Sequence, residues 1–142
     1  MSKSNTFEND ILALIFNATT IANLAINATS SPLTNLYVAL HTGDPGEAGD
    51  QTTSECAYGS YARVAVARNS GGWTVTGNSV SPTAVVAFPE ATSGSETATY
   101  ASIGVASSGA SKILYKGALG VSIVITTGVT PRLKTTSTIT ED

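Results

Sequence analysis

The sequence predicts a mainly β protein: an antiparallel β-sandwich or jelly roll of about seven or eight short strands, preceded by an N-terminal helical segment. Three observations predict it. Apolar residues recur every three or four positions only before Pro32. After Pro32 the period drops to two, as in half-buried strands. Gly, Pro, Asn and Ser clusters then cut the remainder into short segments, each with one aliphatic face.

Residues 5–31 carry the helical pattern. Phe7, Ile11, Leu14 and Ile15, followed by Ala18, Ala22 and Ala25, form its apolar stripe. Asn5 or Thr6 is the expected cap, and Glu8 and Asp10 suit the positive end of the helix dipole. The β-branched pair Thr19-Thr20 is the expected point of a break, and Ser30-Ser31-Pro32 ends the segment. The short echo of Asn-Ala-Thr at Asn17 and Asn27 is too isolated to signal repeat architecture.

The strands follow in order. Leu36, Val38 and Leu40 alternate with Tyr37, Ala39 and His41, and Ala62, Val64 and Val66 alternate with Tyr61, Arg63 and Ala65. Trp73 and Val75 follow an Asn-Ser-Gly-Gly turn, and Trp73 is expected in the core. The run 84–88 stops at Pro89. In 99–106, Ile103 and Val105 share one face, with Tyr100, Ser102 and Gly104 on the other. Two further strands are expected at 112–116 and 119–126, the second placing Leu119, Val121, Ile123 and Ile125 inward. A last strand over 132–140 turns Leu133 and Ile139 inward. At 142 residues the expected organisation is a single domain, residues 1–142, with a helical segment or arm at 1–32 and the β-sandwich or jelly roll at 33–142.

Composition excludes several function classes. The net charge is −3 and no Lys/Arg cluster occurs, so neither nucleic acid nor an anionic membrane is an expected partner. Charged residues make up 12% of the chain, about half the usual fraction, and the polar remainder is mainly Thr, Ser, Asn and Gly. Such a surface suits contacts between subunits. Cys56 is the single cysteine, so neither a disulfide within the chain nor a Cys-rich zinc site can form. Glu8 and Asp10 interrupt any secretory leader, and Asn17, Asn23 and Asn27 interrupt any long apolar run. Synthesis in a cytoplasm is therefore expected.

The stretch Leu-Tyr-Val-Ala-Leu-His-Thr-Gly-Asp-Pro-Gly-Glu-Ala-Gly-Asp, residues 36–50, concentrates the groups that suggest chemistry. A Ser-His-Asp or Cys-His arrangement would need His41, the only histidine, as its base, and no Gly-x-Ser-x-Gly elbow accompanies it. Asp44, Glu47 and Asp50 lack the alternating spacing of a calcium loop. Asp44-Pro45-Gly46 instead fits the first three positions of a turn, and Gly49 a second reversal. His41, Asp44, Pro45, Gly46 and Gly49 are accordingly expected to shape the loop. No phosphate-binding loop or paired-carboxylate cleft is present, so no catalytic, metal or cofactor site is expected. Tyr37, Tyr61 and Arg63 fall opposite their strands' aliphatic stripes; with Tyr58 they are the candidate interface residues, being of types enriched where proteins meet.

Residues 35–68 resemble a family of small tailed-bacteriophage virion proteins. The resemblance rests on Leu36–Thr42, on Asp44–Gly49, and on Glu55, Tyr58 and Tyr61–Val66 of the pattern E-x-x-Y-x-x-Y-A-R-V-A-V. Length and β character are also similar to jelly-roll cement or decoration proteins of phage capsids. That resemblance implies a non-enzymatic protein of the virion's capsid surface, a homodimer or homotrimer that bridges subunits of the major capsid protein. The alternative it implies is a tail or tail-fibre component, acting as an adaptor or receptor-binding module. An enzyme acting on host glycan is the third class, and the residues give it no site.

Overall fold

A computed structural model describes residues 3–26 and 32–141. The chain is mainly β, with several antiparallel sheets and one N-terminal helix, as the sequence predicts. The described residues contain nine strands rather than seven or eight. They divide between two compact units, one of residues 1–35, 66–85 and 134–142, the other of residues 36–65 and 86–133.

In the first unit, helix α1 spans Asn5–Asn17. Its cap is Ser4, not Asn5 or Thr6: the Ser4 hydroxyl accepts the Phe7 N–H at 3.4 Å, and the Ser4 carbonyl accepts from Glu8. The helix stops at Asn17, well short of residue 31. Ala18 adopts a left-handed conformation (φ 55°), and Ile21 and Ala25 close a small bridge. The rest of the expected helical segment, residues 27–31, lies outside the described residues. Arg68 completes the end of α1, its guanidinium donating to the Leu14 and Ile15 carbonyls at 2.6 Å each. A cation there meets both the unpaired carbonyls and the negative end of the helix dipole.

The buried stripe of α1 is Glu8, Leu12 and Phe16, one position round from the stripe expected, and Phe7 is 36% exposed. The aromatic partner fixes this rotation. Phe16 meets Trp73 edge to face, with ring centroids 4.8 Å apart, and both are almost fully buried. Trp73 opens strand β3 (Trp73–Thr76), which a two-residue turn with Gly77 at φ 61° joins to β4 (Ser79–Pro82). Strand β9 (Ile139–Thr140) adds to the far edge of β4.

The second unit is built round a sheet ordered β2-β1-β6-β7. Strand β1 spans Asn35–His41, β2 Val64–Ala67, β6 Ser95–Gly104 and β7 Ile113–Thr126; β2 crosses from this unit into the first. Strands β1 and β6 pair antiparallel from Tyr37↔Gly104 to His41↔Tyr100. The segments expected at 112–116 and 119–126 are one strand: Gly117 pairs with Ala101 within the β6–β7 ladder, and Gly120 lies in a register slip inside the same strand. Of the four residues expected inward, Ile125 is buried, Leu119 and Ile123 are half-buried, and Val121 is 83% exposed. A two-stranded sheet pairs β5 (Val86–Ala87) with β8 (Arg132–Leu133). The strand expected over 132–140 is thus two, β8 and β9, separated by a turn in which Ser137 N–H donates to the Lys134 carbonyl.

One-sided burial fails on β1. Leu36, Val38 and Leu40 are buried as expected, but so are Ala39 and His41 on the opposite face. That second buried face leads to the site.

Candidate functional site

His41 ends β1, where β1 gains a new neighbour. The backbone of residues 54–56 takes up its hydrogen bonds: Thr42 N–H donates to Ser54, Cys56 N–H donates to Leu40, and His41 bridges Glu55. The imidazole has no exposed surface. Its Nδ1 lies 2.9 Å from the Thr53 carbonyl, which only accepts, so Nδ1 carries the proton. Nε2 then accepts from the Ser102 hydroxyl at 2.8 Å. Burial lowers the His41 pKa below the ordinary histidine value, against the opposing pull of the Thr53 carbonyl.

Gln51, also without exposed surface, continues the network. Its amide nitrogen donates to the Tyr37 carbonyl at 3.0 Å and to Ser102 Oγ at 3.3 Å. Its Oε1 accepts from Ser111 Oγ at 2.7 Å and from Arg63 Nη1 at 3.3 Å. All of its hydrogen-bonding capacity is engaged. The space it occupies exists because residue 104 is glycine; a Cβ there would overlap the Gln51 amide.

Arg63 sits at the centre. Nε and Nη2 grip the two oxygens of Glu55 at 2.7 and 2.8 Å, a bidentate pair. Nη2 also donates to the Gly109 carbonyl at 2.8 Å, and Nη1 to the Ala106 carbonyl and Ser111 Oγ at 3.1 and 3.2 Å. Gly109 holds φ 72°, which presents its carbonyl in the turn between β6 and β7. Glu55 also accepts from Tyr61 Oη at 3.0 Å, and Tyr61 Oη accepts the Leu40 N–H. Burial drives the Tyr61 hydroxyl pKa far above its usual value, so it remains a donor.

These groups form one connected cluster joining β1, the loop at 51–55, the segment at 61–63, β6 and the β6–β7 turn. Chemically it is closed. A buried guanidinium without partners would be costly, and here every face of it meets an acceptor. The expectation that Tyr37, Tyr58, Tyr61 and Arg63 form an interface is therefore corrected for two of them. The Arg63 side chain is 2% exposed and Tyr58 is 4% exposed. Tyr58 donates its hydroxyl to the Pro89 carbonyl at 2.9 Å and its N–H to Glu96. It meets Tyr61 edge to face, and Tyr61 in turn stacks on Phe88. Tyr37 and Tyr61 remain half-buried.

The loop residues are placed as follows. Asp44 Oδ1 accepts the Gly46 N–H at 2.8 Å, Gly46 holds φ 73°, and a Cβ on Gly49 would overlap the Pro45 carbonyl. Lys116 of β7 bridges Asp44 and Glu47 at 2.9 and 3.1 Å. The Gly46 N–H, then Lys116, hold the Asp44 carboxyl below its ordinary pKa. Burial and the nearby Glu96 carboxylate push the Cys56 thiol up to about 12, so it stays protonated and unreactive at neutral pH. Among the described residues no group of three or more His, Cys, Asp or Glu is placed to hold a metal ion. Nor is any described helix long and apolar enough to cross a membrane.

Sequence reasoning missed Gln51, Ser102 and Ser111 in this cluster, Arg68 at the helix end and Lys116 at the loop. Their partners lie up to 72 residues away, and no spacing rule links them.

The chain is β-rich, and its sequence relationship makes it a phage structural protein. Residues 2–140 match the family described as Podophage GP4 fiber I protein gp80, and the chain belongs to that family. No curated protein matches it.

Proposed function

We propose that the protein is a non-enzymatic component of a phage tail fibre, a building element rather than a capsid cement protein. The observation that carries this reading is the match to a fibre-protein family over residues 2–140. The site geometry supports it. Arg63, Glu55, Gln51 and His41 are engaged by one another and by backbone, so none of these four faces outward as a free base or donor. The sparse charge of the chain suits a protein surrounded by other subunits of a particle. Bridging of the major capsid protein, the other role considered, draws support only from the resemblance to cement proteins. Immunogold labelling of intact particles with antibody to this chain separates the two. Gold along fibres is expected; gold distributed over the head would overturn the fibre reading in favour of the capsid.

A further inference from the structure

In the unit of residues 1–35, 66–85 and 134–142, the third strand of the sheet comes from the far end of the chain. Residues 134–138 are exposed throughout. Residues 139–141 then lie along the outer edge of β4, Ile139 opposite Val80 and Thr140 opposite Ser79. Val80 is buried, Ile139 is half-buried and Thr140 is exposed. One residue beyond β4, Asn78 clamps the next peptide unit from both sides. Its carbonyl accepts the Glu141 N–H at 2.9 Å, and its side-chain amide donates to the Glu141 carbonyl at 3.2 Å. Lys3, two residues ahead of α1, brings Nζ to 3.2 Å from the Glu141 carboxylate.

We propose that the outer edge of β4, with Asn78 and Lys3, is an acceptor site for an extended segment of the pattern apolar–polar–acidic, and that the chain's own residues 139–141 occupy it as an exchangeable strand. The pattern follows from the site. The β4 backbone and Asn78 pair with the main chain of any extended segment, which supplies adhesion without selection. Val80 selects an apolar residue at the first position, and the Lys3 ammonium selects an acid at the third. The second position faces solvent and is unread. Exchange follows from how the strand is held. Its ladder is two residues long, against about five or six for an ordinary strand, and residues 134–138 bury no side chain that must be withdrawn first. Tethering keeps it in place, because a strand on so short a linker stands over its site at an effective concentration in the millimolar range. A free segment of the same pattern gains the site once that tethered strand is weakened.

The test is fluorescence anisotropy of a labelled peptide Thr-Thr-Ser-Thr-Ile-Thr-Glu-Asp, the sequence of residues 135–142, titrated with the full-length chain. An Ile139→Ser/Glu141→Gln variant keeps the acceptor and weakens the tethered strand. It is expected to bind the peptide at least about tenfold tighter than wild type. Adding Lys3→Glu to that variant should reverse the selection, so that it rejects this peptide and takes one with lysine in place of the glutamate. Near-ultraviolet circular dichroism checks the packing around Trp73, and Glu141→Gln alone replaces the double change if that packing is perturbed. A weakened-strand variant that binds no better than wild type overturns the proposal. So does equal binding of a peptide with the same residues in scrambled order, or a Lys3→Glu variant that does not distinguish the two charged peptides. Because the isolated chain is measured, the result does not depend on where the protein sits in the particle.

Discussion

Arg63 and Glu55, eight residues apart in sequence, close on each other as a bidentate pair at 2.7 and 2.8 Å. The Arg63 side chain is almost wholly buried, and that of Glu55 keeps 16% of its surface. The pair sits between the end of β1 and the β6–β7 turn and holds both. An outward pair of this type would suit recognition; this one is sealed and serves the fold.

His41 gives the fold a pH dependence whose sign is fixed by its burial. Its pKa is lower folded than unfolded, so between those values the unfolded chain binds the extra proton. Stability is therefore full above the unfolded value of about 6.5 and falls as pH drops below it, with a slope of up to roughly 1.4 kcal/mol per pH unit. Protonation would also force Nε2 to donate, displacing the Ser102 hydroxyl proton. Urea titrations from pH 7.5 to 5 should show this slope in wild type. A His41→Gln variant should be less stable at pH 7.5 and nearly flat over that window. The Asp44 and Asp50 carboxyls, held below their ordinary pKa by Gly46 and Lys116 and by Thr52, add acid sensitivity only below about pH 4.

Gly104→Ala should destabilise the protein by about 1–3 kcal/mol, because the new methyl group overlaps the Gln51 amide. Gly117→Ala, on the neighbouring strand where a Cβ meets nothing within 4 Å, should cost far less. Thermal denaturation of the two variants side by side checks the contrast. Equal costs would mean that Gln51 yields its place easily and that the cluster is loosely held.

Arg68→Ala should remove about 2 kcal/mol, since two carbonyls at the end of α1 lose charge-assisted donors. Hydrogen exchange should locate the loss in the last turn of α1. Arg68→Lys should recover only part of it, because a single ammonium cannot reproduce the fork that reaches Leu14 and Ile15 together.

Much of this architecture was legible in the sequence, and the misreadings share a cause. Period-two patterning correctly marks β1, β3 and β6, where apolar faces meet a core. It overextends β9 and splits β7, because glycines in a paired ladder look the same as glycines in a turn. Helical spacing over 5–25 persists beyond Asn17, yet Ala22 is exposed and Ala25 only half-buried, and Ala18 in its left-handed conformation ends the helix instead. Asp44, Pro45 and Gly46 show their turn chemistry locally, so residue identity suffices there. Arg63 did not, since being opposite an aliphatic stripe means solvent in a two-sided sheet but a second buried face here. Gln51, Ser102 and Ser111 are joined only by tertiary contacts, which no local pattern encodes.

The central claim is that the pairing of Glu55 with Arg63 serves the structure and not chemistry or recognition. A double-mutant cycle on Glu55→Gln and Arg63→Met, read by urea denaturation at pH 7.5, tests it most directly. Each single change should cost about 3 kcal/mol by leaving a buried partner unpaired, and the double variant should cost much less than their sum, a coupling of roughly 2 kcal/mol or more. Single variants as stable as wild type, with no coupling between them, would contradict the account and return both residues to the list of groups available for binding.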